Sequence, residues 1–209
     1  MATSVLVLYS GGMDSTVLLY YIRQVLLCHK VEAIIFDYGQ RHRIEISYAQ
    51  EMVKKLVIPY KIVKVDLTQF GESSLTSDDK DLPVVVPGRN SIFLSLAAAY
   101  AKTRGLEDIF FGPNLEDYKG FPDCRENYVE SMSKALVLGT GIRTIRVPFI
   151  NMSKREIVTL GKELGVPFGD TWSCYFPVKT DEIFAVIDNR LQYKPCGKCH
   201  ACIERSKVL

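Results

Sequence analysis

The sequence predicts an α/β protein, a doubly wound and mostly parallel sheet followed by a small cysteine-rich module. Three observations predict it. Short apolar runs suited to buried parallel strands alternate with segments of helical periodicity. The first run passes into a helix through the turn Ser10-Gly11-Gly12-Met13-Asp14-Ser15. Four of the six cysteines, Cys174, Cys196, Cys199 and Cys202, gather near the C-terminus. A chain of 209 residues suits one full α/β domain with an appendage, and residues 1–170 and 171–209 are the expected division.

The elements follow in order. Ser4 to Tyr9 is an apolar run that reads as a buried strand, and a helix from about Asp14 to Gln24 follows the glycine turn. Val31 to Phe36 is a second strand. Ile44, Ala49, Met52, Val53 and Leu56 recur at helical spacing and stop before Pro59. Tyr60 to Val65 is a third strand. Residues 66–88 are polar and acidic with two prolines, and are expected to form a mobile loop or lid. Asn90 to Thr103 is an apolar helix, and Ile109 to Gly112 a short strand. Asp123 with Glu126 has the spacing of a capping pair opening a helix to about Leu138. Thr144 to Val147 is a strand, and Ser153 with Glu156 repeats the capping pattern before a helix ending at Gly165.

Composition narrows the function. Apolar residues make up 47% and charged residues 24%, and the net charge of +2 carries no footprint of a nucleic-acid binder. No direct nucleic-acid partner is therefore expected. The N-terminal apolar run is too short for a signal peptide or a membrane span, so a cytoplasmic protein without membrane contact is expected. In a reducing compartment, clustered cysteines favour metal binding over a disulfide framework.

At the glycine turn, hydroxyls and amides at a helix start suit phosphate oxygens, and the helix dipole adds to this. The turn lacks the lysine of the GxxxxGK[ST] phosphate loop. It resembles instead the PP-loop of the ATP pyrophosphatases, which split ATP between the α and β phosphates. That resemblance implies an adenine nucleotide alpha-hydrolase-like fold. Asp14 approaches phosphate only through a cation, so ATP is expected with Mg²⁺ as a bridge.

Cys196-Gly197-Lys198-Cys199-His200-Ala201-Cys202 places three thiols at intervals of three, a knuckle for one metal. Cys174 is the expected fourth ligand, with His200 as a competitor that its neighbour Cys199 disfavours. Four thiolates leave no open position, so the metal is expected to be structural Zn²⁺.

Further segments match one branch of the superfamily in order along nearly the whole chain. They are Leu8–Leu18, Asp37-Tyr38-Gly39-Gln40-Arg41-His42 with Glu45, Val86–Asn90, Phe93-Leu94-Ser95, Gly120–Arg125, Thr171–Tyr175 and Cys196–Cys202. The chain resembles the 7-cyano-7-deazaguanine synthase family. The resemblance implies an ATP-dependent ligase acting on small molecules: 7-carboxy-7-deazaguanine, ATP and ammonia. Adenylation of the carboxylate gives an amide, and adenylation of the amide gives the nitrile used in queuosine and other 7-deazapurine biosynthesis. A ligase that stops at the amide or uses another nucleophile, and a non-catalytic ATP-binding regulator, remain alternatives.

The resemblance also implies roles. Leu8, Tyr9, Ser10, Gly11, Gly12, Met13, Asp14, Ser15, Thr16, Val17 and Leu18 would form the ATP-binding turn and its flanks. Phe36 and Tyr38 would lie near adenine. Gln40, Arg41, His42, Arg89, Asn90, Asp117, Asp123, Arg125 and Lys154 are candidates for substrate or phosphate contacts. Family members are often dimers, and the apolar helix from Asn90 is a candidate contact.

Overall fold

The computed structural model describes residues 3–71, 73–180 and 192–209. Strands β1 (Ser4–Leu8), β2 (Lys30–Asp37), β3 (Tyr60–Lys64), β4 (Asp108–Phe110) and β5 (Thr144–Arg146) form one parallel sheet in the order 3-2-1-4-5. Their registers follow the apolar runs, because both faces of every central strand are covered.

Each face has its own core, which is the doubly wound arrangement the sequence predicts. On one side Leu6, Leu8, Ile34, Phe36 and Ile109 pack beneath α3 (Arg89–Arg104) and α5 (Glu126–Thr140). On the other, Val5, Val7, Ala33, Ile35 and Phe110 pack beneath α1 (Met13–Gln24), α2 (Ile44–Lys55) and α6 (Lys154–Glu163). Alternation within β1 explains the split: successive side chains point to opposite faces. The Ser153–Glu156 capping box opens α6 as expected, with both reciprocal bonds made.

Two local expectations are corrected. Asp123 does not cap the helix that follows it. Pro122 opens a 3₁₀ turn, Pro122–Cys124, and Arg125, in extended conformation, takes the cap position of α5 without a side-chain bond. The Asp123 carboxylate turns instead to the first turn of α3, where Oδ2 accepts from the Asn90 amide at 3.4 Å. Among the described residues of 66–88, Thr68–Phe70 form a 3₁₀ turn and the middle is tied into the fold. Ser73, Ser74, Leu75 and Val86 are buried, and the Leu75 carbonyl accepts from the Arg41 amide at 2.8 Å. The apolar Leu75 and Val86 within that polar stretch enter the core beside Tyr38 and Phe93.

Beyond α6 the chain returns across the C-terminal ends of the strands. The Trp172 amide donates to the Gly11 carbonyl at 3.0 Å, and Trp172, Cys174, Cys199 and Cys202 bury Ile44 of α2 among them. Two short strands, β6 (Val178–Lys179) and β7 (Tyr193–Lys194), pair antiparallel before α7 (His200–Ser206). The stretch from Phe176 to Lys194, between Cys174 and Cys196, reads from sequence as a short helix or hairpin, and its centre, 181–191, lies outside the described residues.

Candidate active site and metal centre

A cavity of about 290 Å³ opens at the C-terminal ends of the central strands, where the order reverses between β1 and β4. Neighbouring strands there send their chains to opposite faces of the sheet, so the loops part and leave a crevice. Leu8 ends β1 on its floor, Phe36 and Tyr38 follow from β2, and Phe111 and Gly112 from β4.

The glycine turn forms one wall. Gly11 has a φ of 81°, and a Cβ there would lie 2.9 Å from backbone atoms of Glu45 and Ala49 in α2. Only glycine permits both that conformation and that approach. Ser10 Oγ sits 3.0 Å from Ser15 Oγ and accepts from the Gly12 amide at 3.2 Å, which fixes the hydroxyls at the start of α1. Thr16 faces inward, with Oγ1 donating to the Gly12 carbonyl at 2.7 Å and lying 3.1 Å from the Tyr9 hydroxyl. Val17 and Leu18 are wholly in the core.

Asp14 stands in the first turn of α1 and lines the cavity, half-buried as a residue but with its Oδ1 closed off from solvent. Its Oδ2 accepts from Asn114 Nδ2 at 3.1 Å, while Oδ1 has no partner among the described residues. Burial pushes its carboxyl up to about 6; Asp117 and Glu116 add to this, and Lys154 and Asn114 oppose it. An acceptor left bare in this way suits a cation, whose charge would restore the carboxylate. Asn114 is the residue that sequence reasoning missed. Fully buried, it orients Asp14 with its amide nitrogen, while its carbonyl accepts from the Glu116 and Asp117 amides at 3.0 and 3.1 Å. A side-chain-to-backbone turn of this kind is a local habit of asparagine, but nothing in the linear sequence ties position 114 to position 14.

Of the other candidates, His42, Arg89, Asn90, Asp117 and Lys154 line the cavity. Arg89 stacks over the Tyr38 ring at 5.6 Å and donates to its hydroxyl at 3.3 Å, and it makes no ion pair with a carboxylate among the described residues. Asp117 is pushed up, chiefly by burial. Gln40, Arg41, Asp123 and Arg125 are not on the cavity wall. Gln40 is buried behind it, bridging the Phe36 carbonyl, the Tyr38 amide and Glu45. Arg41 donates to the Ser77 and Asp78 carbonyls and lies over Phe176, and Arg125 packs on Tyr118. Cys124 does line the cavity, but burial pushes its thiol far up and leaves it a poor nucleophile. The C-terminal segment completes the wall with Trp172, Ser173, Tyr175, Ala201 and Glu204.

Behind that wall the sulfurs of Cys174, Cys196, Cys199 and Cys202 all lie within 4.8 Å of one another. Tetrahedral zinc thiolate sites have sulfurs about 3.8 Å apart, so a small contraction onto an ion satisfies the geometry. The Cys196 amide donates to Cys174 Sγ at 3.2 Å and the Cys199 amide to Cys196 Sγ at 3.4 Å, bonds that favour thiolates. Hydrogen bonding from Cys174 holds the Cys199 thiol well down and the Cys174 thiol correspondingly up; a shared cation removes that conflict. Arg205, on the helix that carries Cys202, donates to the Phe168 carbonyl, Thr171 Oγ1 and Ser173 Oγ. The metal centre and the cavity wall are thereby one connected unit.

Comparison with known proteins agrees with this geometry. The chain is 44% identical to the 7-cyano-7-deazaguanine synthase of Thermoplasma acidophilum, over 96% of this chain and 85% of that one. It is 40% identical to the synthase of Leptospira interrogans, over 96% and 84%. Among solved structures, the U34-tRNA thiolase NcsA of Methanococcus maripaludis superposes with a TM-score of 0.57 at 17% identity, over 99% of this chain and 70% of that one, a likeness of fold alone. The model of the queuosine biosynthesis protein QueC matches residues 4–209, and the chain belongs to the QueC family.

Proposed function

We propose that this enzyme is a 7-cyano-7-deazaguanine synthase, converting 7-carboxy-7-deazaguanine, ATP and ammonia to the nitrile through an amide. Family membership and the relatives at 40–44% identity support the activity. The observation within the site that carries it is Asp14, a half-buried carboxylate whose enclosed Oδ1 has no partner among the described residues, beside the hydroxyls and amides of a helix-opening glycine turn. Such a group suits Mg²⁺ accompanying the phosphates of ATP. Leu8, Phe36 and Tyr38 offer the apolar surface for adenine, and Lys154 and the α1 N-terminus the positive field for pyrophosphate.

The chemistry requires activation twice. A carboxylate oxygen and an amide oxygen are both poor leaving groups until they carry AMP. Arg89, fixed on Tyr38 and without an ion pair among the described residues, suits the substrate carboxylate and the charge that develops at the α-phosphate. Asp117 is suited to accept from paired N–H groups of the deazaguanine ring.

The four-cysteine centre is proposed to hold Zn²⁺ in a closed, structural site that supports the cavity wall, with residues 1–170 the ATP-binding domain and 171–209 the zinc segment. All six cysteines are free, which suits the cytoplasm. A homodimer through the exposed side of α3, where Leu96 is 37% accessible, is part of this reading. The test is the mass of the product from the carboxy acid, ATP, Mg²⁺ and ammonium, with pyrophosphate followed in parallel. The nitrile with two pyrophosphates per turnover supports the proposal. Accumulating amide moves it to an amide synthase, and no pyrophosphate from zinc-loaded protein overturns it.

A further inference from the structure

We propose that His42, oriented by Glu45 and through it by Gln40, is the base that takes protons from the substrate nitrogen in both stages of the reaction. The inference rests on the synthase reading above. Three observations carry it. The imidazole is 3% accessible yet lines the cavity. Its Nε2 lies 3.4 Å from Glu45 Oε2, and Glu45 Oε1 accepts from Gln40 Nε2 at 2.9 Å. Its Nδ1 is buried without any partner among the described residues.

Together these fix the chemistry of the ring. Gln40 is itself locked by the Tyr38 amide and the Phe36 carbonyl, so it sets Glu45 rigidly. Glu45 in turn draws the ring proton to Nε2, which leaves Nδ1 as the bare acceptor. A buried ring nitrogen with no partner is costly in a resting protein, and it is satisfied once a substrate N–H arrives. The charged and titratable neighbours are Glu45 on α2, Arg89 at the start of α3, and Tyr175 and Cys199 from the C-terminal segment. Burial, with Arg89 in the same sense, disfavours the charged form of the imidazole, and Glu45 opposes them.

Both stages release protons from one nitrogen. In the first, ammonia forms a bond to the adenylated carboxyl carbon. An N–H proton passes to Nδ1, and the C–O bond breaks with its electron pair leaving on AMP, which gives the amide. In the second, the amide oxygen displaces pyrophosphate from a second ATP. The nitrogen then sheds its two remaining protons to Nδ1 one at a time, the imidazolium releasing the first to solvent before the second arrives. As the second leaves, the C–O electron pair again departs with AMP, and the C≡N bond is complete. Between stages the imidazolium returns its proton to solvent. One base suffices because the same nitrogen occupies the same place twice.

The experiment compares wild type with His42→Asn, which keeps a polar group but no base, and Glu45→Gln. Four rates are read on zinc-loaded protein: substrate-dependent ATP–pyrophosphate exchange, product from ammonium, product from the amide supplied directly, and hydroxamate from hydroxylamine, a nucleophile largely unprotonated at neutral pH. The expected result is a fall of about 100-fold or more for His42→Asn with ammonium and with the amide. Exchange and hydroxamate formation fall far less, and Glu45→Gln shows the same pattern more weakly. Parallel loss of all four rates, or no loss with the amide, overturns the proposal. If His42→Asn does not fold, Glu45→Gln decides by the same criterion. Failure of the wild type to form nitrile brings down the synthase reading and this role with it, an outcome distinct from an active wild type with an unaffected variant.

Discussion

The two ends of the sheet treat buried charge in opposite ways. Toward the N-terminal ends of the strands, Asp108 is fully buried, and Arg143 and Arg146 bond it from β5 and the turn before it. Glu32, also buried, accepts from Arg104 and Tyr100 and pairs with Lys30. Burial pushes both carboxyls up, but these bonds outweigh it and hold them below the usual range. At the C-terminal ends, Asp14 and His42 each keep a buried atom with no partner among the described residues, and Arg89 makes no ion pair among them. One end completes its hydrogen bonds within the fold. The other leaves them for ligands, so the same sheet stores stability at one edge and reactivity at the opposite edge.

The sharpest way to break this contrast is Asp14→Asn. Pyrophosphate release is expected to fall at least 100-fold, as is common when one preorganised electrostatic group is lost. The variant should nevertheless be more stable than the metal-free wild type at pH 7, by about 2–3 kcal/mol for a shift of roughly two pK units. The sign follows from linkage. The folded carboxyl titrates at about 6, above its ordinary 3.8, so the wild type loses stability as pH rises through that window. The gain should therefore shrink as pH falls toward 4 in denaturant titrations. A less stable Asp14→Asn would mean that Asp14 is satisfied like Asp108. The opposite edge should answer oppositely: Asp108→Asn removes charge-assisted bonds and is expected to cost about 2–3 kcal/mol, with activity retained at permissive temperature. Its contribution is present above the unfolded carboxyl pKa and disappears as pH falls through the depressed folded value, so the variants should converge in acid.

The metal centre tests whether the two edges are coupled. With the zinc proposed above, Cys174→Ser is expected to lower the bound metal to near none, because a closed four-ligand site tolerates no missing thiolate. Trp172, Ser173 and Tyr175 then lose their anchor, as does the Arg205 clamp on Phe168, Thr171 and Ser173. Nucleotide binding by calorimetry should weaken about tenfold, while protection of β4 amides against hydrogen exchange persists. Loss of β4 protection as well would show that the sheet itself depends on the metal.

How much of this was legible in the sequence differs between the same regions. The sheet was legible because its strands are buried on both faces and so read as apolar runs, and the four thiols because metal ligands recur at short spacings. Gly11 and Asp14 were legible as a motif, although what forces glycine at 11 is the approach of α2, a tertiary fact. Asn114 and the Asp108 network were not legible, since each joins positions 35 to 100 residues apart through a single polar contact with no periodicity. Gln40 and Arg41 read as site residues by resemblance, yet one supports the wall from behind and the other pins the 66–88 stretch.

Asp123 offers the mildest test. Its carboxylate reaches the Asn90 amide at 3.4 Å, long for a hydrogen bond, and Gly88 at the cap position of α3 brings no side chain of its own. A cap supplied across the fold replaces the local one, and α3 carries Arg89 and Asn90 into the cavity on its first turn. Asp123→Ala is therefore expected to cost about 0.5–1 kcal/mol, the low end for a lost N-cap. It should raise KM for the deazaguanine acid severalfold through a loosened Arg89, with kcat little changed. Restoring a local cap by Gly88→Asn, which tolerates the left-handed φ of 69° better than most residues, should recover stability in the double variant. If KM stays high while stability returns, Asp123 touches the substrate itself, and its role passes from the supporting edge of the molecule to the reactive one.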